Sequence, residues 1–209
     1  MPTFRFARTT ALLVVLGLAA SCGGGGGSSG STSSGGTGTP PSASMNAAEL
    51  TLAMDALGAI NAHRAGQPGG LAPYQWYANG ANVAYAHCLA MEAGGFFDHT
   101  DPGTNTTPAS RSNNAGIAHD PQGAIDIATG LPFVGENLTT RSGVAVITFT
   151  GQEAVNNWIN SPGHNTQLVA PNPVNGAQTM PAWTHCVVGV RITPTQIWYT
   201  AMFWRNPTP

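Results

Sequence analysis

Apolar positions recur at helical spacing from Leu50 through Met54 and Leu57 to Ile60, with Arg64 in phase, and Gly66 and Pro68 stop the run. Asn46 followed by Glu49 supplies a capping-box start, so a first helix is expected here. Trp76 and Tyr77 open a second stretch in which Val83, Ala86, His87 and Ala90 share a face, flanked by Leu89 and Ala93. Gly94-Gly95 ends it, so Phe96, Phe97 and His99 follow directly on its C-terminus. From Asp101 the chain is rich in Thr, Asn, Ser and Pro, with one or two helical turns expected over 108–113 around Arg111, then a long loop over 116–131. Strand character follows over 133–140, and a short helix over 151–160 carries Ala154, Val155, Trp158 and Ile159 as its apolar stripe. Pro162-Gly163 is expected to break that helix just before His164, and 168–181 reads as loop. Two closing strands, 186–192 and 197–204, are joined across Thr193-Pro194-Thr195 as a hairpin. No repeat is present. Helices first and paired strands last predict an α+β domain with a mostly antiparallel sheet covered by helices.

The segment before the first helix behaves differently. Arg5 and Arg8 precede the apolar run Ala11 to Leu18 and the small residues Ala19-Ala20-Ser21, the pattern of a secretory signal peptide over 1–21 rather than a membrane span. Cys22 after small residues resembles a bacterial lipobox, with Leu18 one place early; the alternative is ordinary cleavage with Cys22 discarded or spare. Residues 22–45 form a Gly/Ser/Thr/Pro linker with almost nothing to bury, a leash that would hold the following domain (46–206) roughly 25 Å from a bilayer. These features predict an exported, lipid-anchored protein whose only membrane contact is the Cys22 lipid. The domain would lie in the periplasm or outside the cell, and Gly23 suits outer-membrane sorting where there are two membranes.

About 165 residues remain for the domain, enough for one sizeable core, and a monomer is expected. Lysine is absent, and beyond the leader only Arg64, Arg111, Arg141, Arg191 and Arg205 stand against nine acids, so no basic stripe exists for a nucleic acid. With Cys22 assigned to lipid, Cys88 and Cys186 remain, and an oxidising compartment favours a disulfide between them. Two buried free thiols, or one thiol in a metal site, are the competing readings.

Candidate chemistry lies in three glycine-flanked segments: Gly95-Phe96-Phe97-Asp98-His99-Thr100, Gly135-Glu136-Asn137 and Ser161-Pro162-Gly163-His164. Two imidazoles and a carboxylate can hold a divalent cation or move protons near neutral pH, provided the fold brings His99, Glu136 and His164 together. His87 on the second helix reads as packed or partly exposed, with a cleft role as the lesser alternative, and His63 as a solvated helix residue; His119 and His185 sit in or beside loops with no partner at ligand spacing. No HExxH, Gly-x-Ser-x-Gly or assignable triad is present.

Together with Ile60-Asn61-Ala62-His63-Arg64, Ala86-His87, Trp158-Ile159-Asn160 before Ser161, and the closing Gly189-Val190 and Trp198-Tyr199-Thr200-Ala201-Met202-Phe203, these segments resemble, in order and spacing over about residues 46–205, the bacterial branch of the CAP superfamily. That superfamily comprises cysteine-rich secretory, antigen 5 and pathogenesis-related proteins, also called SCP domains. The resemblance implies a three-layer α-β-α sandwich around a central antiparallel sheet, and a cleft lined by two histidines and two acids that takes a divalent cation. His99 matches the first histidine, Glu136 the Gly-Glu-Asn acid and His164 the second histidine, while Ser161 stands where eukaryotic members carry a second glutamate. Glu153 cannot replace it, lying eight helical residues, about 12 Å, away. The expected set is therefore His99, Glu136, His164 and Ser161 in the cleft, with His99, His164 and Glu136 around zinc or magnesium and one coordination position open. The expected function is a non-enzymatic, membrane-tethered binding module for a small apolar or lipid ligand, a glycan or a protein. A metal-dependent peptidase or esterase using the same cleft is the alternative.

Overall fold

A computed structural model of the protein describes residues 44–119, 125–126, 129–143, 148–169, 174–175, 178–179 and 182–208. The signal peptide, Cys22 and the leash up to residue 43 fall outside the described residues.

Helix α1 (Ala47–Ala65) opens on the expected capping box, in which the Asn46 side chain accepts from the Glu49 N–H and Glu49 accepts from the Asn46 N–H. Helix α2 (Ala78–Gly94) ends at Gly95, which takes a left-handed φ of 63° and donates its N–H to Met91 O. Short helix α3 (Pro108–Asn114) follows, and then strand β1 (Gly135–Ser142), α4 (Gly151–Ile159) and α5 (Pro162–Val169). A two-residue ribbon, β2 (Val174–Asn175) and β3 (Gln178–Thr179), precedes the long hairpin of β4 (His185–Ile192) and β5 (Gln196–Trp204). The main sheet has the order β1-β5-β4 and is antiparallel throughout, with Glu136 opposite Met202 and Cys186 opposite Phe203.

Strand alternation divides the core into two faces. On one, Cys186, Val188 and Val190 of β4 and Ile197, Tyr199, Ala201 and Phe203 of β5 pack with α1, with Trp158 of α4 and with Leu168 of α5. On the other, Val187, Met202 and Trp204 meet Ala81, Val83 and Ala84 of α2, while Leu138 and Trp198 meet Cys88 and Met91. The result is the expected α+β, helix–sheet–helix sandwich. Gly189 is the point of closest approach: a Cβ there would run into the backbone of Ala84 and Tyr85, so only glycine lets α2 settle on β4.

The structure corrects the sequence reading in several places. Leu50 and Met54 are exposed (43% and 47%), whereas Glu49 is fully buried and accepts from the Ile192 N–H and from Arg191. The inward stripe of α1 therefore runs through Glu49, Ala53, Ala56, Leu57, Ile60 and Arg64. Arg64 is buried because its guanidinium donates to Ala72 O and Leu168 O and lies 3.7 Å over the Tyr74 ring. Pro162 does not simply break α4; it starts α5, since proline at a first helical turn lacks only an N–H that would be unpaired there. His164 accordingly sits in the first turn of a helix, and the expected loop over 168–181 contains the β2–β3 ribbon.

The disulfide is also corrected: Cys88 and Cys186 are both buried free thiols. Cys88 lies on α2 and touches Thr200 Oγ1 at 3.2 Å, while Cys186 faces the α1 side of the sheet. The sheet stands between the two sulfurs, and a disulfide requires Cβ atoms that face each other at close range. Burial pushes the Cys88 thiol up to about 12 and raises Cys186 further, so neither is a thiolate near neutral pH.

Candidate functional site

The turn at Gly95 sets the direction of the following segment. Phe96 packs against the His87 ring, and His87 Nε2 donates to Asp98 O at 3.0 Å. Asp98 Oδ1 accepts from the Thr100 N–H, which closes a small turn around His99. His99 is thus displayed with its side chain half exposed, beside the second residue of β1.

Glu136 is the centre of the arrangement, with 1% of its side chain exposed. Its Oε1 lies 2.9 Å from His99 Nδ1 and its Oε2 2.5 Å from Arg111 NH2. Arg111 NH1 in turn donates to His99 O (2.9 Å) and Thr106 O (3.0 Å). Burial raises the Glu136 pKa, but Arg111, His99 and His87 outweigh it and hold the carboxyl below its ordinary value. The ionised carboxylate only accepts, so His99 Nδ1 is the donor and Nε2 is the free position of its neutral ring. That bond to Glu136 is the main reason the His99 pKa is raised.

His164 reaches the same region from the other layer. Asn137, next to Glu136 on β1 and pointing to the opposite face, donates from Nδ2 to His164 O at 3.0 Å. Burial, and then the charge on His99, lower the His164 pKa, and its Nδ1 is buried without a hydrogen-bond partner. His63 Nε2 lies 3.0 Å from Asn165 Oδ1 and ties α1 to the same turn of α5. Ser161 precedes α5 and is half-buried.

A cavity of about 350 Å³ opens beside His99 and Glu136, walled by Thr100, the start of α3 at Thr107–Ala109, Asp126, Phe133 and Val134, and Gln167 of α5. His164 and Ser161 are not among its lining residues, although His164 stands one helical turn before Gln167. His99 and Glu136 are therefore in contact at the cavity. His164 is tied to Glu136's strand through Asn137 and has no side-chain bond to either of them.

Among the described residues, no group of three or more His, Cys, Asp or Glu side chains is placed to hold a metal ion. Both Glu136 oxygens are already bonded, which leaves two imidazoles as the nitrogen donors. A carboxylate that orients a histidine through its Nδ1–H is, however, the usual support for a histidine ligand.

Three residues that matter here are outside the site set expected from the sequence. Arg111 neutralises Glu136, and the available signal was an isolated cation in a lysine-free chain on a short helix near a buried carboxylate. His87 is fully buried with Nε2 3.9 Å from Glu136 Oε1. Gln167 lies on α5, a helix that the Pro162-Gly163 pair conceals in the sequence.

The cysteine-rich secretory protein (CAP) family model matches residues 57–173. No curated protein matches the sequence. Among solved structures, the chain is similar to an extracellular protein containing a SCP domain from Bacillus anthracis str. Ames, solved at 1.5 Å resolution. The two share 21% identity with a TM-score of 0.54 over 76% of this chain. This chain covers 41% of that protein, so the likeness concerns the fold. With more than half of its length matched by the family model, on a fold shared with an SCP-domain structure, this chain belongs to the cysteine-rich secretory protein family.

Proposed function

We propose that the protein is an exported binding module rather than an enzyme, with a cleft at His99 that captures its ligand outside the cytoplasm. The observation that carries this reading is the His99–Glu136–Arg111 assembly: a carboxylate whose two oxygens are both committed, holding an imidazole with its Nε2 free beside a 350 Å³ cavity. Neither His99 nor His164 has a hydroxyl or thiol in hydrogen-bond reach among the described residues, so neither is paired with a nucleophile. Export is supported by the leader-like residues 1–21 and by the extracellular SCP-domain neighbour. A lipid on Cys22 would tether the domain through the leash.

A divalent cation is part of the proposal, as a guest of His99 and His164; Glu136, expected from the sequence as a third ligand, has both oxygens bonded and would orient His99 instead. Two neutral imidazoles suit zinc, whereas magnesium requires oxygen donors that Glu136 no longer offers. The cation would supply a Lewis-acid anchor for a ligand oxygen. Glu136 and Arg111 fix the His99 ring, and Asn137 fixes the backbone of His164.

Calorimetric titration with zinc and with magnesium, comparing wild type with His99→Ala plus His164→Ala, tests the cation site. Zinc binding by the wild type that disappears in the double variant is expected, and retained affinity rejects the assignment. Cys22→Ser should move the protein out of the membrane fraction if the tether reading holds.

A further inference from the structure

The cavity wall has further chemistry besides His99 and Glu136. Phe133 is half-buried in the wall and stacked on Trp183, with ring centroids 6.1 Å apart and planes 22° apart. Trp183 Nε1 donates to Gln167 Oε1 at 2.8 Å, which fixes the amide and leaves Gln167 Nε2, which makes no hydrogen bond among the described residues, as a donor at the cavity wall. The Thr100 hydroxyl, also in the wall, has no partner among the described residues either. An aromatic face, a fixed amide donor and a free hydroxyl thus meet in one hollow.

Charge narrows the choice of ligand. No arginine lines the cavity, and the chain has no lysine. Of the two carboxylates in the wall, Glu136 is paired with Arg111, and Asp126 accepts from the Thr107 and Thr129 hydroxyls. A phosphate, sulfate or carboxylate ligand in this part of the cavity would meet the Asp126 carboxylate, and the nearest guanidinium, Arg111, is already committed to Glu136. A wholly apolar chain would bury Gln167 Nε2 and the Thr100 hydroxyl unpaired, at a cost of about 1–3 kcal/mol each. A pyranose ring meets neither penalty: its C–H face covers an aromatic ring while its hydroxyls accept and donate at the edges.

We propose that this cavity binds one or two rings of an uncharged saccharide, with Phe133 under the sugar face and Gln167 Nε2 and Thr100 Oγ1 bonding its hydroxyls. A volume of about 350 Å³ suits a ligand of that size. The inference rests on the reading of the domain as a binding module and is independent of the cation.

The test is calorimetry or amide-resolved NMR on the folded protein in chelator, with maltose, cellobiose, lactose and N,N′-diacetylchitobiose as probes and a sulfated disaccharide and dodecanoate as comparators. At least one neutral disaccharide should bind, and Phe133→Ala and Gln167→Glu should each weaken it tenfold or more. Gln167→Glu keeps an oxygen for Trp183 while removing the donor, and Phe133→Leu serves if the alanine variant unfolds. Absence of binding by every neutral disaccharide, affinity unchanged in both variants, or preference for the sulfated sugar or the fatty acid overturns the proposal. Zinc binding without sugar binding sinks this inference alone; sugar binding without zinc binding sinks only the cation site.

Discussion

Arg111 grips both ends of the same relationship with His99: one nitrogen donates to the His99 carbonyl, and another bonds the carboxylate that holds the His99 ring. The loop is closed through Glu136, so the imidazole is fixed from its backbone and from its side chain. Removing Glu136 should free the His99 ring and leave Arg111 only its carbonyl partners. Glu136→Ala leaves a nearly buried guanidinium without its counter-ion, and breaking such a pair costs about 3–5 kcal/mol. Thermal unfolding should show Tm falling by on the order of 10 °C. The double variant Arg111→Met plus Glu136→Leu should lose less than the sum of the single changes. A Glu136→Ala variant as stable as wild type would show that the ring of bonds does not hold the native state.

The histidines around Glu136 should titrate in opposite directions. His99 is raised, chiefly by its bond to Glu136, so its contribution to stability is fully present below the unfolded value of about 6.5 and fades as pH rises through the folded value. His87 is lowered, chiefly by burial against the opposing pull of Glu136, so it costs stability as pH falls below about 6.5 toward its folded value. In chelator, NMR titration of the imidazole C–H resonances should place His99 above and His87 below the ordinary value. Glu136→Gln should bring His99 down. An unchanged His99 midpoint in that variant would contradict the assignment.

Both domain thiols should resist modification in the folded protein. Cys88 and Cys186 are completely buried, and the Cys88 thiol is pushed up to about 12. Mass spectrometry after maleimide treatment should show neither labelled in native buffer and both labelled in denaturant without reductant. A domain that requires reductant before labelling would contain the disulfide that the sheet separates here.

Gly189→Ala should destabilise the domain by about 1–3 kcal/mol or more, because the added methyl meets helix backbone and not a side chain that can turn away. Gly163→Ala, in the first turn of α5 with open space around it, is the matched control and should be neutral or slightly stabilising. Chemical denaturation of the pair separates the effect of packing from that of glycine itself.

Local signals were the legible part of this chain. The Asn46–Glu49 box, the Gly95 stop and the closing hairpin each announce themselves within a few residues, and the helices and strands they bound are where the sequence puts them. What depends on partners far along the chain was hidden. Glu49 looks like an exposed capping residue until Ile192 and Arg191 come to meet it, and that contact turns α1 so that Leu50 and Met54 face outward. The cysteines could be counted, but not the faces of the sheet they occupy. At the site, His99 and Glu136 could be named from their motifs, whereas Arg111 becomes part of it only once its guanidinium reaches Glu136 across the fold.

Strand β1 lies at one edge of its sheet, and two successive residues on it grip different layers: Glu136 holds the His99 ring on one side and Asn137 holds the start of α5 on the other. Pleating makes such neighbours face opposite ways. The two histidines, far apart along the chain, are therefore moored to adjacent residues of one strip of backbone, one by its ring and the other by its carbonyl.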